Sequence, residues 1–207
     1  MPKFAGNEKS FIILLSIFIG SITIASVLAN KIINVFGLFV PAGVLAYSMT
    51  FLMTDAICEL WGRETAKHTV LGGFIGLLAV LLLIQISLVW PRAPFWKQEA
   101  AYQTIMGSTS RIIIASFLAY LVSQFHDVWA FHFWKKITGG RHLWLRNNFS
   151  TAISQFMDSS IFITIAFYGV MPIWPLIWSQ WLVKLVIALL DTPIIYGLVW
   201  LLRKKIR

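Results

Sequence analysis

Long apolar runs alternate with short polar ones, and six runs qualify as membrane-spanning helices: 11–30, 40–61, 68–90, 110–134, 149–170 and 174–202. A helix crossing about 30 Å of hydrocarbon needs about 20 mostly apolar residues. The run from Phe11 to Ala29 is too long for the core of a signal peptide and is not closed by small residues, so it reads as the first span. The stretch 31–40, KIINVFGLFV, is too short to span and is expected to lie at the interface or fold back into the bundle. Loop 91–109 carries the turn residues Pro91, Pro94 and Gly107, and the basic loop 135–148 holds Gly139-Gly140. The expected fold is an all-α membrane protein, with six transmembrane helices in one bundle formed by a single domain, 1–207.

Composition agrees with this reading. The chain is 58% hydrophobic and only 12% charged, with a mean hydropathy of +0.79. Soluble domains are nearer 45–50% apolar and about 25% charged. A net charge of +9 would suggest nucleic acid in a soluble protein. Here the basic residues flank apolar runs, so the lipid bilayer is the expected partner and nucleic acid is not. With six spans, the side holding both termini carries twelve Lys and Arg residues and the other side four. The excess of cations marks the cytoplasmic side. Trp61, Trp90, Trp134 and Trp174 stand near span ends, where an aromatic belt belongs.

Six ionisable residues interrupt the apolar pattern: Asp55, Glu59, Asp127, Asp158, Lys184 and Asp191. A charge at the bilayer centre costs about 2.5–3.5 kcal/mol on insertion scales, so such residues tend to face a cavity or each other. At 100° per residue, Asp55 and Glu59 share a face, although Glu59 is near enough to the span end to sit among headgroups. Ser116, Tyr120, Ser123, Gln124 and Asp127 fall within an arc of about 100°. The serines suit helix–helix hydrogen bonding, whereas Gln124 and Asp127 suit a cavity. Arg111, at the outer end of the same span, either serves a gate or reaches to the interface. Asn148, Thr151, Gln155 and Asp158 fall within about 80°. Lys184 and Asp191 share a face two turns apart. Lys184 either pairs structurally with Asp158 or Asp191 or helps to hold a solute. Pro193, after Asp191 and Thr192, is expected to interrupt its helix.

Several chemistries are absent from the sequence. It has no Walker A loop, no GxSxG elbow and no HExxH motif. One cysteine, Cys58, rules out an intramolecular disulfide and any cysteine cluster, and the four histidines have no ligand spacing, so no metal or cofactor is expected. His126 adjoins Asp127 and could relay protons with it.

Three stretches resemble one family: TDAICELWGRETAKHT at 54–69, RIIIASFLAYLVSQFHDVWAFHFWKK at 111–136, and LWLRNNFSTAISQFMDSSIF at 143–162. With Lys184, Thr192-Pro193 and Tyr196, they are similar to the queuosine precursor transporter family, also called the vitamin uptake transporter family. Ser159 stands where that pattern has threonine. The resemblance implies a non-enzymatic importer of queuosine precursors in a bacterial inner membrane, serving tRNA modification by salvage. It also implies a fold like the substrate-binding subunits of energy-coupling-factor transporters.

The implied substrate is a 7-deazaguanine: the 7-cyano form, the 7-aminomethyl form or queuine. Asp55, Gln124, Asp127, Asn148, Gln155, Asp158 and Lys184 are the candidate binding residues. A carboxylate suits adjacent N–H donors on a base edge, and amides or Lys184 suit its carbonyl. Glu59, Arg111, Asp191, Thr192 and Pro193 are candidates for gating or coupling. Two partners remain open: a second copy of the chain and a separate energising module. The rival functions are a substrate-binding subunit of an ATP-driven vitamin transporter, a membrane-embedded enzyme, and an assembly protein whose charges only pair helices.

Overall fold

A computed structural model describes residues 8–137 and 143–204. The described residues form six helices and one hairpin: α1 (Glu8–Leu28), β1 (Ile32–Val35), β2 (Leu38–Pro41), α2 (Gly43–Trp61), α3 (Arg63–Val89), α4 (Glu99–Ile137), α5 (Leu143–Phe167) and α6 (Ile173–Lys204). Among these residues, four stretches are long and apolar enough to cross a membrane: Glu8–Leu28, Gly43–Trp61, Glu64–Val89 and Glu99–Ser123. Ala152–Phe167 and Ile173–Ile187 are shorter apolar stretches.

Three local expectations change. The segment expected as loop 91–109 is helical from Glu99 onward, because EAAYQTIM is a strong helix-forming run with Glu99 in the first turn, and the isolated Gly107 is tolerated. Helix α6 continues through Pro193 instead of breaking there. Prolines are tolerated inside membrane helices when surrounding groups satisfy the freed backbone atoms. The stretch 31–40 pairs as a β-hairpin. Ile32, Ile33, Val35 and Val40 favour extended backbone. The turn residues Phe36 and Gly37 have φ of 50° and 88°, the left-handed geometry of a tight hairpin turn. Asn34 Oδ1 accepts the Gly37 N–H at 2.8 Å. The basic turn expected at Gly139-Gly140 lies outside the described residues.

The chain divides into two compact units. The first comprises 1–33, 41–110 and 186–207, and the second comprises 34–40 and 111–185. In the first, α1 buries Leu14, Phe18, Ile22 and Ala25 while Ile12, Ile13, Ile17, Ile24 and Leu28 remain exposed. A helix apolar on every side is built for lipid.

Small residues permit close helix contact. A Cβ at Gly43 would collide with the Ala25 carbonyl oxygen, and one at Gly73 would lie 2.6 Å from the Phe18 ring. Gly62, at φ 89°, separates α2 from α3 and donates its N–H to the Cys58 carbonyl.

Polar bonds add to this packing. Asn30 donates to Thr109 Oγ1 at 2.8 Å, Gln85 to Ser110 Oγ at 2.8 Å, and Tyr102 to Ser87 Oγ at 2.6 Å. These hydroxyls in turn donate to carbonyls on their own helices. Hydrogen bonds of this kind between apolar helices contribute about 0.6 kcal/mol each in membrane proteins.

The second unit packs α4 from Arg111, α5, and α6 up to Leu185. Ile112, Ile113, Ala115, Ala119, Ile163, Leu176 and Ile177 are buried.

Candidate functional site

In the second unit, Lys184 forms an ion pair with Asp158. The ammonium of Lys184 on α6 donates to Asp158 Oδ2 on α5, and their side chains are only 8% and 15% exposed. Either charge alone in an apolar interior would be strongly disfavoured. Together, in contact, they offset much of that desolvation cost. Of the two acids expected for Lys184, Asp158 is in contact with it, and the side chain of Asp191 lies outside the described residues.

Aromatic side chains also join α5 to α6. The Phe156 ring lies 5.4 Å from Trp178 and 5.6 Å from Trp181, and the two indoles are 5.6 Å apart. Trp181 donates its Nε1–H to the Ala152 carbonyl at 3.0 Å. The indole is thereby fixed in place, with a satisfied polar edge and a flat apolar face. Phe156 falls between Gln155 and Asp158 in sequence, and Trp181 lies three residues before Lys184. The α5–α6 contact therefore brings polar and aromatic groups to one region.

Two further contacts hold α5. Arg111 donates through Nε to the Ile165 carbonyl at 2.6 Å and through a terminal nitrogen to the Tyr168 carbonyl at 2.8 Å. Carbonyls at a helix C-terminus lack helical partners, and a cation there also interacts favourably with the helix dipole. Arg111, expected at a gate or the interface, is engaged as the cap of α5. At an earlier turn of α5, His126 Nδ1 and Ser154 Oγ are 3.1 Å apart.

Gln155 is half-buried on α5, whereas Asp55 and Glu59 are exposed on α2 in the first unit. The side chains of Gln124, Asp127, Asn148, Asp191, Thr192 and Pro193 lie outside what the structure describes. No group of His, Cys, Asp or Glu suited to a metal occurs among the described residues.

The candidate set omitted Trp178 and Trp181, because a chain that is 15% aromatic gives no reason to single them out. It also omitted Gln180, although its position one turn before Lys184 on an apolar helix was a readable signal.

The family model described as "Putative vitamin uptake transporter" matches residues 41–198, which contain every residue of this site. The chain belongs to the vitamin uptake transporter family.

Three relatives of this family member span most of its length. It is 34% identical over 188 residues to the "Probable queuosine precursor transporter" of Bacillus subtilis (strain 168), covering 88% of this chain and 82% of the relative. The "Queuosine precursor transporter" of Escherichia coli (strain K12) is 26% identical over 147 residues, covering 71% and 64%. The "Probable queuosine precursor transporter" of Haemophilus influenzae is 28% identical over 164 residues, covering 76% and 67%. No solved structure matches the chain.

Membership of this transporter family, with its long apolar helices, makes this vitamin uptake transporter homologue a multi-pass membrane protein handling a small solute. It sets aside the membrane-embedded enzyme.

Proposed function

We propose that this chain imports a queuosine precursor, a 7-deazaguanine base, across the bacterial inner membrane for tRNA modification by salvage. The carrying observation is its 34% identity to a protein named as a probable queuosine precursor transporter, over 88% of the chain. The Lys184–Asp158 site gives that reading a chemical basis. A buried carboxylate can accept the N–H groups of a base edge, and the ammonium can orient the carboxylate. The neighbouring aromatic cluster offers a surface for a planar ring, an interaction worth about 1–3 kcal/mol per base in nucleic-acid binders.

Asp158, Gln155 and Lys184 form the proposed binding set. Asn148, Gln124 and Asp127 join it on helical periodicity alone. The candidate substrates are the 7-cyano form, the 7-aminomethyl form and queuine. Six spans are read from the apolar runs, and the distribution of cations among their loops then puts both termini in the cytoplasm. The chain has no ATP-binding loop, so import draws on an ion gradient, on trapping of the product, or on a separate module.

The test is complementation. Cells lacking queuosine synthesis and their own salvage importer receive this gene and one labelled precursor, and queuosine is measured in tRNA. Restoration by one precursor supports import and identifies the substrate. Failure with every precursor, with the protein present in the membrane, overturns the proposal. Uptake by purified protein in liposomes would exclude a required ATPase partner.

A further inference from the structure

Beside the Lys184–Asp158 contact, two buried polar atoms have no partner. Ser159 is 0% exposed and Gln180 is 5% exposed. Neither Ser159 Oγ nor Gln180 Oε1 makes a hydrogen bond. Buried polar atoms are almost always paired, because an unmet acceptor or hydroxyl in a low-dielectric interior is costly.

Elsewhere the helices observe this rule. Thr109, Ser110 and Ser116 donate to carbonyls one turn earlier. Ser160 does the same with Phe156. Ser159 has the Gln155 carbonyl in the same relation and leaves it unused.

Both atoms belong to the stretches joined by the ion pair. Ser159 follows Asp158, and Gln180 lies four residues before Lys184, on the same face of α6. Gln155, Asp158 and Ser159 fall within an arc of about 100° on α5. Phe156 and Trp181 bring the aromatic cluster to these same turns.

We propose that Gln180 and Ser159 are substrate-binding residues. Gln180 Oε1 accepts an N–H of a planar, guanine-type heterocycle, and the Ser159 hydroxyl donates to an acceptor on the same ring. The proposal rests on the import of a 7-deazaguanine argued above. The chemistry suits a neutral ring. Asp158, oriented by Lys184, accepts from one edge of the ring, and Gln180 and Ser159 add neutral contacts to it. An amide oxygen and a hydroxyl complement the alternating donors and acceptors of such an edge.

The experiment uses the full chain in lipid nanodiscs. Binding of 7-cyano- and 7-aminomethyl-7-deazaguanine is measured by calorimetry, and melting temperature is recorded with and without ligand. The variants are Gln180→Met, which keeps the side-chain volume, and Ser159→Ala. With a ligand that binds the wild type, Gln180→Met should weaken affinity about tenfold, as expected when a buried donor on the ligand loses its acceptor. Without ligand, its melting temperature should hold or rise, because an unpaired buried oxygen has been removed. Ser159→Ala should weaken affinity several-fold with the same pattern.

Undiminished affinity in both variants would overturn the proposal and leave internal water as the partner of these atoms. A lower melting temperature with unchanged affinity would also overturn it, by showing a packing role. If the wild type binds neither compound, the functional reading falls and this inference falls with it. The variants distinguish the two failures, since they are compared only on a ligand that the wild type binds.

Discussion

Trp181 and Lys184 sit three residues apart on α6, and both reach α5: the indole N–H to the Ala152 carbonyl, the ammonium to Asp158. One turn of α6 thus clamps two turns of α5 through a neutral bond and an ionic one. The ionic bond carries the greater consequence. It leaves the Asp158 carboxylate buried without this cation if Lys184 is lost.

Asp158→Asn and Lys184→Met should each lower stability, by as much as about 3–5 kcal/mol where the remaining charge stays buried. The double variant should recover much of that stability. Uptake should be lost in all three. Melting temperature in nanodiscs and labelled uptake, measured together, check this. Normal uptake by the double variant would reduce the pair to a structural contact.

Arg111→Leu removes two donors from the end of α5. The part-buried Ile165 carbonyl left unmet costs about 1–3 kcal/mol and the exposed Tyr168 carbonyl less, so the melting temperature should fall. Arg111→Lys should restore little, because a point-like ammonium cannot reproduce the planar fork that serves both carbonyls. Thermal unfolding followed by size-exclusion chromatography would show it. A full rescue by lysine would sink the capping role.

Gly43→Ala should be more damaging than Gly73→Ala. At Gly43 the added carbon meets the Ala25 backbone, while at Gly73 it meets a Phe18 ring that can shift slightly. Overpacking of this kind typically costs about 1–3 kcal/mol. Expression level and melting temperature of the two variants give the order.

Phe36→Asn should stabilise the hairpin. Phe36 is fully exposed at the turn and carries a φ of 50°, a region that asparagine tolerates better than an aromatic residue. The expected gain is below about 1 kcal/mol. A fall in melting temperature would instead show that the Phe36 ring has a binding role in the membrane.

The apolar helices were legible because lipid demands uniform apolarity over a fixed length, which Phe11–Ala29 displays without structural context. Asp158 and Lys184 were legible for the complementary reason, since charge inside such a run needs a purpose. The start of α4 at Glu99 was obscured by Gly107, which a helix can absorb. Pro193 was misleading because proline weakens a helix without always ending it. The hairpin at 32–41 was hidden by brevity. Trp181 and Ser159 were silent because neutral side chains in an aromatic-rich span carry no evident desolvation cost, whereas the amide of Gln180, one turn before Lys184, was a signal that the charges overshadowed.

The cap supplied by Arg111 has a mechanical consequence. It fastens the 165–168 end of α5 to α4 through a charged double contact, and at an earlier turn Ser154 of α5 meets His126 of α4. If α5 tilts during transport, the bolted end is the pivot and the turns held by Trp181 and Lys184 swing together with α6. Distance labels at the two ends would record the larger swing near Ser154.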